Sequence, residues 1–138
     1  MNKKIDIDYL NYTDLNVIEN KIDEIITWLS TDYGITISFI PHTWVVNELP
    51  YVQEIDRIET AIEDIGLGFY KPYGWLNTTK WITSDNLYPI RSFDYEDYNR
   101  WVNNLELIDN AQGEILTLWN GISQIDWDIE SEYEWEEI

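Results

Sequence analysis

The chain has 138 residues, enough for one domain with a real core, and 44% of them are hydrophobic. Its 27 acids against eight bases give a net charge of −19, which opposes contact with free nucleic acid or an anionic membrane and favours a basic protein partner, a cation, or simply solubility. The absence of cysteine excludes a disulfide or a thiolate metal site, as expected of a cytosolic or virion protein.

The first ten residues read as extended, with Ile5 and Ile7 alternating with Asp6 and Asp8. The two lysines near Met1 have no apolar run behind them, so neither a signal peptide nor a membrane span is expected. Asn11 then stands where it can cap a helix, with Asp14 three places on as its reciprocal partner. That helix is expected over about 12–30, with Gly34 beyond its end. The β-branched, alternating run from Ile35 to Ile40 predicts a short strand, stopped by Pro41.

An irregular apolar connection with Trp44, Val45 and Val46 leads to Pro50, which opens a second helix over about 51–64 with Gly66 and Gly68 behind it. Residues 66–92 read as a long aromatic loop. Lys71-Pro72-Tyr73-Gly74 predicts a type I turn within it, surrounded by Tyr70, Trp75 and Trp81. Asp94 caps a third helix, expected over about 94–120, with Asp97 as its partner. Gly113 inside it costs about 1 kcal/mol.

These three helices carry one pattern three times. The copies are Leu15-Asn16-Val17-Ile18-Glu19, Ile55-Asp56-Arg57-Ile58-Glu59 and Tyr98-Asn99-Arg100-Trp101-Val102, each preceded by an acid: Asp14, Glu54 and Asp97. An acid in the first turn suits the positive end of the helix dipole. Apolar residues recur at helical spacing: Leu15, Ile18, Ile22 and Ile25, then Ile55, Ile58, Ile62 and Ile65, then Tyr98, Trp101, Leu105 and Ile108. Arg57 and Arg100 occupy matching positions in a chain poor in bases, and each can pair with an acid on another helix.

The end of the chain differs. No Lys or Arg follows Arg100, while residues 101–138 hold ten acids. Ile125, Trp127, Ile129, Tyr133 and Trp135 alternate with Asp and Glu, a period of two that predicts a β-like acidic arm over 123–138. The expected fold is therefore mainly α: three amphipathic helices in a domain of residues 1–122, with short strands, long aromatic loops and that arm. Trp127, Ile129, Tyr133 and Trp135 of the arm, with Trp75 and Trp81 of the loop, are the expected partner-binding residues, because Trp and Tyr dominate interface energetics. Asn16, Glu19, Asp56, Arg57, Glu59, Asn99, Arg100 and Trp101 are the expected structural motif.

Little in the sequence points to catalysis. Acid pairs arise by chance among 27 acids, and none stands in an apolar segment that would raise its pKa. His42, the single histidine, has no second nitrogen or sulfur ligand for a familiar zinc site. Asp126-Trp127-Asp128 lacks the glycine and spacing of a calcium loop. No phosphate loop, nucleophile elbow or basic stripe is present. No enzymatic activity and no cofactor are therefore expected.

The repeated pattern resembles one in small structural proteins of phages and prophages of low-GC Gram-positive bacteria, where a tyrosine-rich lead-in enters an Asn-Arg-Ile-Glu helix. The lead-ins here are Leu10-Asn11-Tyr12-Thr13-Asp14 and Phe93-Asp94-Tyr95-Glu96-Asp97. Asp56-Arg57-Ile58-Glu59 is the nearest core match, Asn99-Arg100-Trp101 is close, and Asn16-Val17-Ile18-Glu19 lacks the arginine. The resemblance covers roughly residues 8–110 and implies a tail- or baseplate-associated adaptor, made in the bacterial cytoplasm and carried in the virion or a tailocin particle. It implies other virion proteins as partners, in a homo-oligomer or ring-associated assembly, with no nucleic acid and no membrane. Two other readings stand beside it. An acidic inhibitor that mimics DNA would use the charge of −19, and a carbohydrate-binding module would need Trp75 or Trp81 exposed.

Overall fold

The computed structural model describes residues 1–5, 10–82 and 92–133, with residues 116–133 as backbone only. Its described residues form three helices, α1 (Tyr12–Tyr33), α2 (Val52–Gly68) and α3 (Tyr95–Tyr133), and no strand. None of these helices is long and apolar enough to cross a membrane. The chain divides into two compact units, Met1–Ile108 and Asp109–Ile138.

Caps set the helix starts as the sequence predicts. Asn11 Oδ1 accepts from the N–H groups of Thr13 and Asp14 at 2.9 and 3.2 Å, while Asp14 Oδ2 accepts from Asn11 N at 3.0 Å. Asp94 does the same for α3, accepting from Glu96 N and Asp97 N while Asp97 Oδ2 takes Asp94 N at 2.9 Å. Such a reciprocal box satisfies donors that a helix start leaves open. Gly34 ends α1 in the left-handed region at φ 67°, donating to Ser30 O at 3.2 Å.

All three apolar stripes are buried. Leu15, Ile18, Ile22, Ile25 and Leu29 of α1 join Ile55, Ile58, Ile62 and Ile65 of α2, and Tyr98, Trp101, Leu105 and Ile108 of α3, in one cluster. Each aliphatic side chain so buried contributes about 1.5–3 kcal/mol relative to exposure. Trp44 and Trp81, from the two connections, complete this core at 2% and 1% exposure.

Several expectations need correction. Ile35 to Ile40 is not a strand. Ile35, Ile37 and Phe39 do pack against the core while Thr36, Ser38 and Ile40 face out, so the alternation is real. A strand also needs a ladder partner, and no described segment pairs with this one. Among the described residues no segment forms a ladder with residues 1–5 either, and Asp6 to Tyr9 lie outside the described residues.

Helix α2 runs through Gly66 to Gly68 rather than stopping near Asp64. Gly66 is there for space: a Cβ on it would lie 2.8 Å from Trp75 Cζ2 and 2.9 Å from Lys71 Cγ. The turn after it is shifted by one residue. Trp75 N donates to Pro72 O at 3.0 Å, and Gly74, third in that turn at φ 96°, gives it type II character instead of type I.

The β-like arm is not found over its described part, because α3 continues as helix to Tyr133, and residues 134–138 lie outside the described residues. Leu118, Ile122, Ile125, Ile129 and Tyr133 are spaced by three or four, so the same residues satisfy a helical period. A helix pairs its backbone internally, whereas an edge strand depends on a neighbour. The boundary at 122/123 therefore falls inside α3.

Candidate interaction surface

The polar half of the repeated motif is spent on joining one copy to the next. Glu19 of the first copy is 1% exposed and takes both the guanidinium of Arg57 and the indole N–H of Trp44, the latter at 3.0 Å. Its Oε1 also accepts from His42 N at 3.1 Å. Glu59 of the second copy is 2% exposed and takes the guanidinium of Arg100 and the indole N–H of Trp81, at 2.9 Å for the indole. Each arginine also reaches the acid three residues before it: Arg57 Nε to Glu54 at 3.1 Å, and Arg100 Nη1 to Asp97 at 2.8 Å.

The rule is regular: the glutamate of one helix holds the tryptophan of the connection that follows and the arginine of the next helix. Burial alone pulls both arginines down, but the bonds and charges of their acid partners outweigh it and leave both pKa values raised.

The motif asparagines hold extended backbone. Asn16 accepts from Trp44 N at 2.7 Å and donates to Trp44 O at 3.0 Å. Asn99 does the same to Lys4, both bonds at 2.7 Å, and Asn104 to Leu76, at 2.9 and 2.8 Å. A side-chain amide offers one donor and one acceptor side by side, so it replaces a missing ladder partner at one residue.

The ends of the series are closed differently. The arginine position of the first copy is Val17, and Asp14 is paired instead by Lys4 Nζ at 3.1 Å, which also lies 5.7 Å from the Tyr98 ring centre. The glutamate position of the third copy is Val102, fully buried. Trp101 is at 0% exposure, its ring tilted against Phe93 with centroids 4.8 Å apart, and its indole N–H is buried and unbonded. Asp56, matching Asn16 and Asn99, lines a cleft with Thr60, Glu63 and Asp64. Burial, then the charge of Glu63, raises the Asp64 pKa.

The expected partner-binding residues fare unequally. Trp81 is a core residue bonded to Glu59, so its ring has no surface to offer a partner or a sugar. Trp75 is half-buried against Gly66. Trp127, Ile129 and Tyr133 lie in α3, where only backbone is described, and Trp135 lies outside the described residues.

Sequence reasoning missed the surface that the structure does expose, on the connection from α1 to α2. Val45, Val46, Leu49 and Tyr51 are 57%, 64%, 77% and 74% exposed, and Ile40 beside them 83%. A turn closed by Glu48 N to Val45 O at 3.1 Å holds them out, with Asn47 at φ 66° in its third position. Asn tolerates that left-handed conformation better than most residues. Glu48 braces the turn, accepting from Val45 N at 3.1 Å and meeting His42 Nε2 at 2.8 Å. The backbone bond from Val45, with help from His42, lowers the Glu48 pKa. A cleft of about 490 Å³ opens here, lined by His42, Trp44, Asn47, Glu48, Leu49, Tyr51 and Glu54. The available signal was a run of apolar residues between Pro41 and Pro50 with no periodicity that would bury it.

Comparison with models of protein families, with curated proteins and with solved structures finds no match.

Proposed function

We propose that this chain is a non-enzymatic assembly protein, a tail- or baseplate-associated adaptor of a phage or prophage particle that works through protein–protein contacts. The observation that carries a contact role is the division of labour in the motif helices and their connections. The motif's Glu, Arg and Asn side chains are consumed in internal bonds, whereas the α1–α2 connection presents five large apolar side chains to solvent. Large apolar side chains left exposed on one connection are what a contact surface needs. The phage setting rests on the resemblance of the three motif copies.

Two measurements test this. Mass spectrometry of gradient-purified particles from a producing strain should find the chain in fixed proportion to other tail proteins; its absence from the particles refutes the setting. Light scattering on complexes isolated from those particles should show them surviving high salt, because apolar contacts are not screened.

A second reading, the DNA-mimicking inhibitor, draws on charge. Among the described residues, Lys4, Lys21, Arg57, Lys71 and Arg100 are in internal ion pairs, while the chain carries 27 acids, so its outward charge is dominated by carboxylates. It predicts the opposite salt response, with tight binding to a basic nucleic-acid enzyme that weakens steeply as salt rises.

A further inference from the structure

We propose that the cleft between His42 and Glu54 is a docking site for a cationic side chain, arginine above all, carried on an apolar segment of a partner protein. This rests on the reading that the chain acts through protein contacts and names the chemistry of the contact.

Charge and shape both point to this occupant. Glu48 and Glu54 line the cleft, and Glu19 lies behind it through its bond to His42 N. Against these three carboxylates stand one guanidinium, Arg57, which bonds Glu19 and Glu54, and the His42 ring on Glu48. Carboxylates therefore outnumber their basic partners at the cleft. Glu48 and Glu54 are 32% and 37% exposed at their side chains, so both remain reachable from solvent. Around them, Leu49 and Tyr51 form an apolar and aromatic wall, and Val45 and Val46 stand outside it. A guanidinium suits this combination, because it forms bonds to carboxylates and stacks on aromatic faces, while its neighbours bury apolar area. A second copy of the chain is a poor occupant, since each copy brings a charge of −19.

The test uses the full chain and three blocked synthetic tripeptides: Leu-Arg-Leu, Gly-Arg-Gly and Leu-Gln-Leu, titrated at physiological salt and followed by amide chemical shifts. The expected result is saturable shifts confined to residues 42–54 with Leu-Arg-Leu, at least fivefold weaker binding of the other two, and a similar loss for Leu-Arg-Leu in E48Q/E54Q. Those substitutions keep an acceptor oxygen for Val45 N and Arg57 Nε, so the turn stays braced. L49S, on an exposed side chain, should weaken Leu-Arg-Leu without changing Gly-Arg-Gly.

Equal binding of Leu-Gln-Leu would overturn the cationic assignment in favour of a purely apolar site. Shifts spread over the acidic surface would reduce it to unspecific charge. Concentration-dependent shifts at residues 42–54 without peptide would assign the face to a second copy, and shifts there with N-acetylglucosamine alone would assign it to a sugar. Each of these outcomes leaves the particle measurement untouched, so failure of the cleft and failure of the assembly reading are told apart.

Discussion

The α1–α2 and α2–α3 junctions are built from the same parts and differ in how much water reaches them. In both, a buried glutamate holds a tryptophan from the connection and an arginine from the next helix. At the α2–α3 junction the supporting acid, Asp97, is 1% exposed and Arg100 11%. At the α1–α2 junction the corresponding Glu54 is 37% exposed and Arg57 26%. One motif thus makes a dry joint in one place and a joint bordering a cleft in another. The connecting sequence makes the difference: Trp81 runs into the core, where its ring and that of Trp101 are each tilted against Phe93, whereas the residues after Trp44 turn outward at Asn47.

Removing the arginines should show this contrast most strongly. Arg100→Ala leaves the buried Glu59 carboxylate without its guanidinium, and should cost about 3–5 kcal/mol in urea unfolding. Arg57→Ala strips the guanidinium from buried Glu19 and should cost roughly half as much, because Arg57 is itself 26% exposed and water entering its place can partly replace the lost partner. Equal losses would mean the two junctions are equally dry.

The tryptophans offer a more even comparison. Trp44→Phe and Trp81→Phe each keep most of the ring and remove one indole donor from a buried carboxylate. Each should cost about 1.5–3 kcal/mol, read by thermal or denaturant unfolding, and the two should agree within error because both rings are almost fully buried. A large difference would show that the two connections are not equivalent.

Tyr98 sharpens the account of the far side of the frame. Burial, then the charge of Asp14, pushes its pKa up to about 12 from an ordinary value of 10. In this window the unfolded chain loses the phenol proton first, so stability is full below pH 10 and falls as pH rises toward 12. The loss should be on the order of 2 kcal/mol, and Tyr98→Phe should remove that part of the alkaline slope. An unchanged slope in the variant would place the alkaline sensitivity elsewhere.

The smallest effect expected is a gain. Val17→Arg would give Asp14 the intrahelical partner that Glu54 and Asp97 have. On a residue 43% exposed it should stabilise by about 0.2–0.5 kcal/mol. A larger gain would mean that Lys4 serves Asp14 poorly.

The sequence by itself determined that there are three helices, the starts and caps of α1 and α3, and the buried faces of all three. These depend on residues three or four apart, such as Asn11 with Asp14, Asp94 with Asp97, and Ile55 with Ile58 and Ile62, so local spacing carries the whole signal. It also showed Arg57 and Arg100 as a matched pair awaiting acids. Only the tertiary structure decided which acids, because the partners Glu19 and Glu59 lie 38 and 41 residues away and nothing local selects them. Long-range closure likewise decided that Ile35 to Ile40 is a strap without a ladder and that Trp81 is core. The exposure of Val45, Val46, Leu49 and Tyr51 belongs to the same class: an apolar run reads as buried until the fold shows these side chains left open among the described residues.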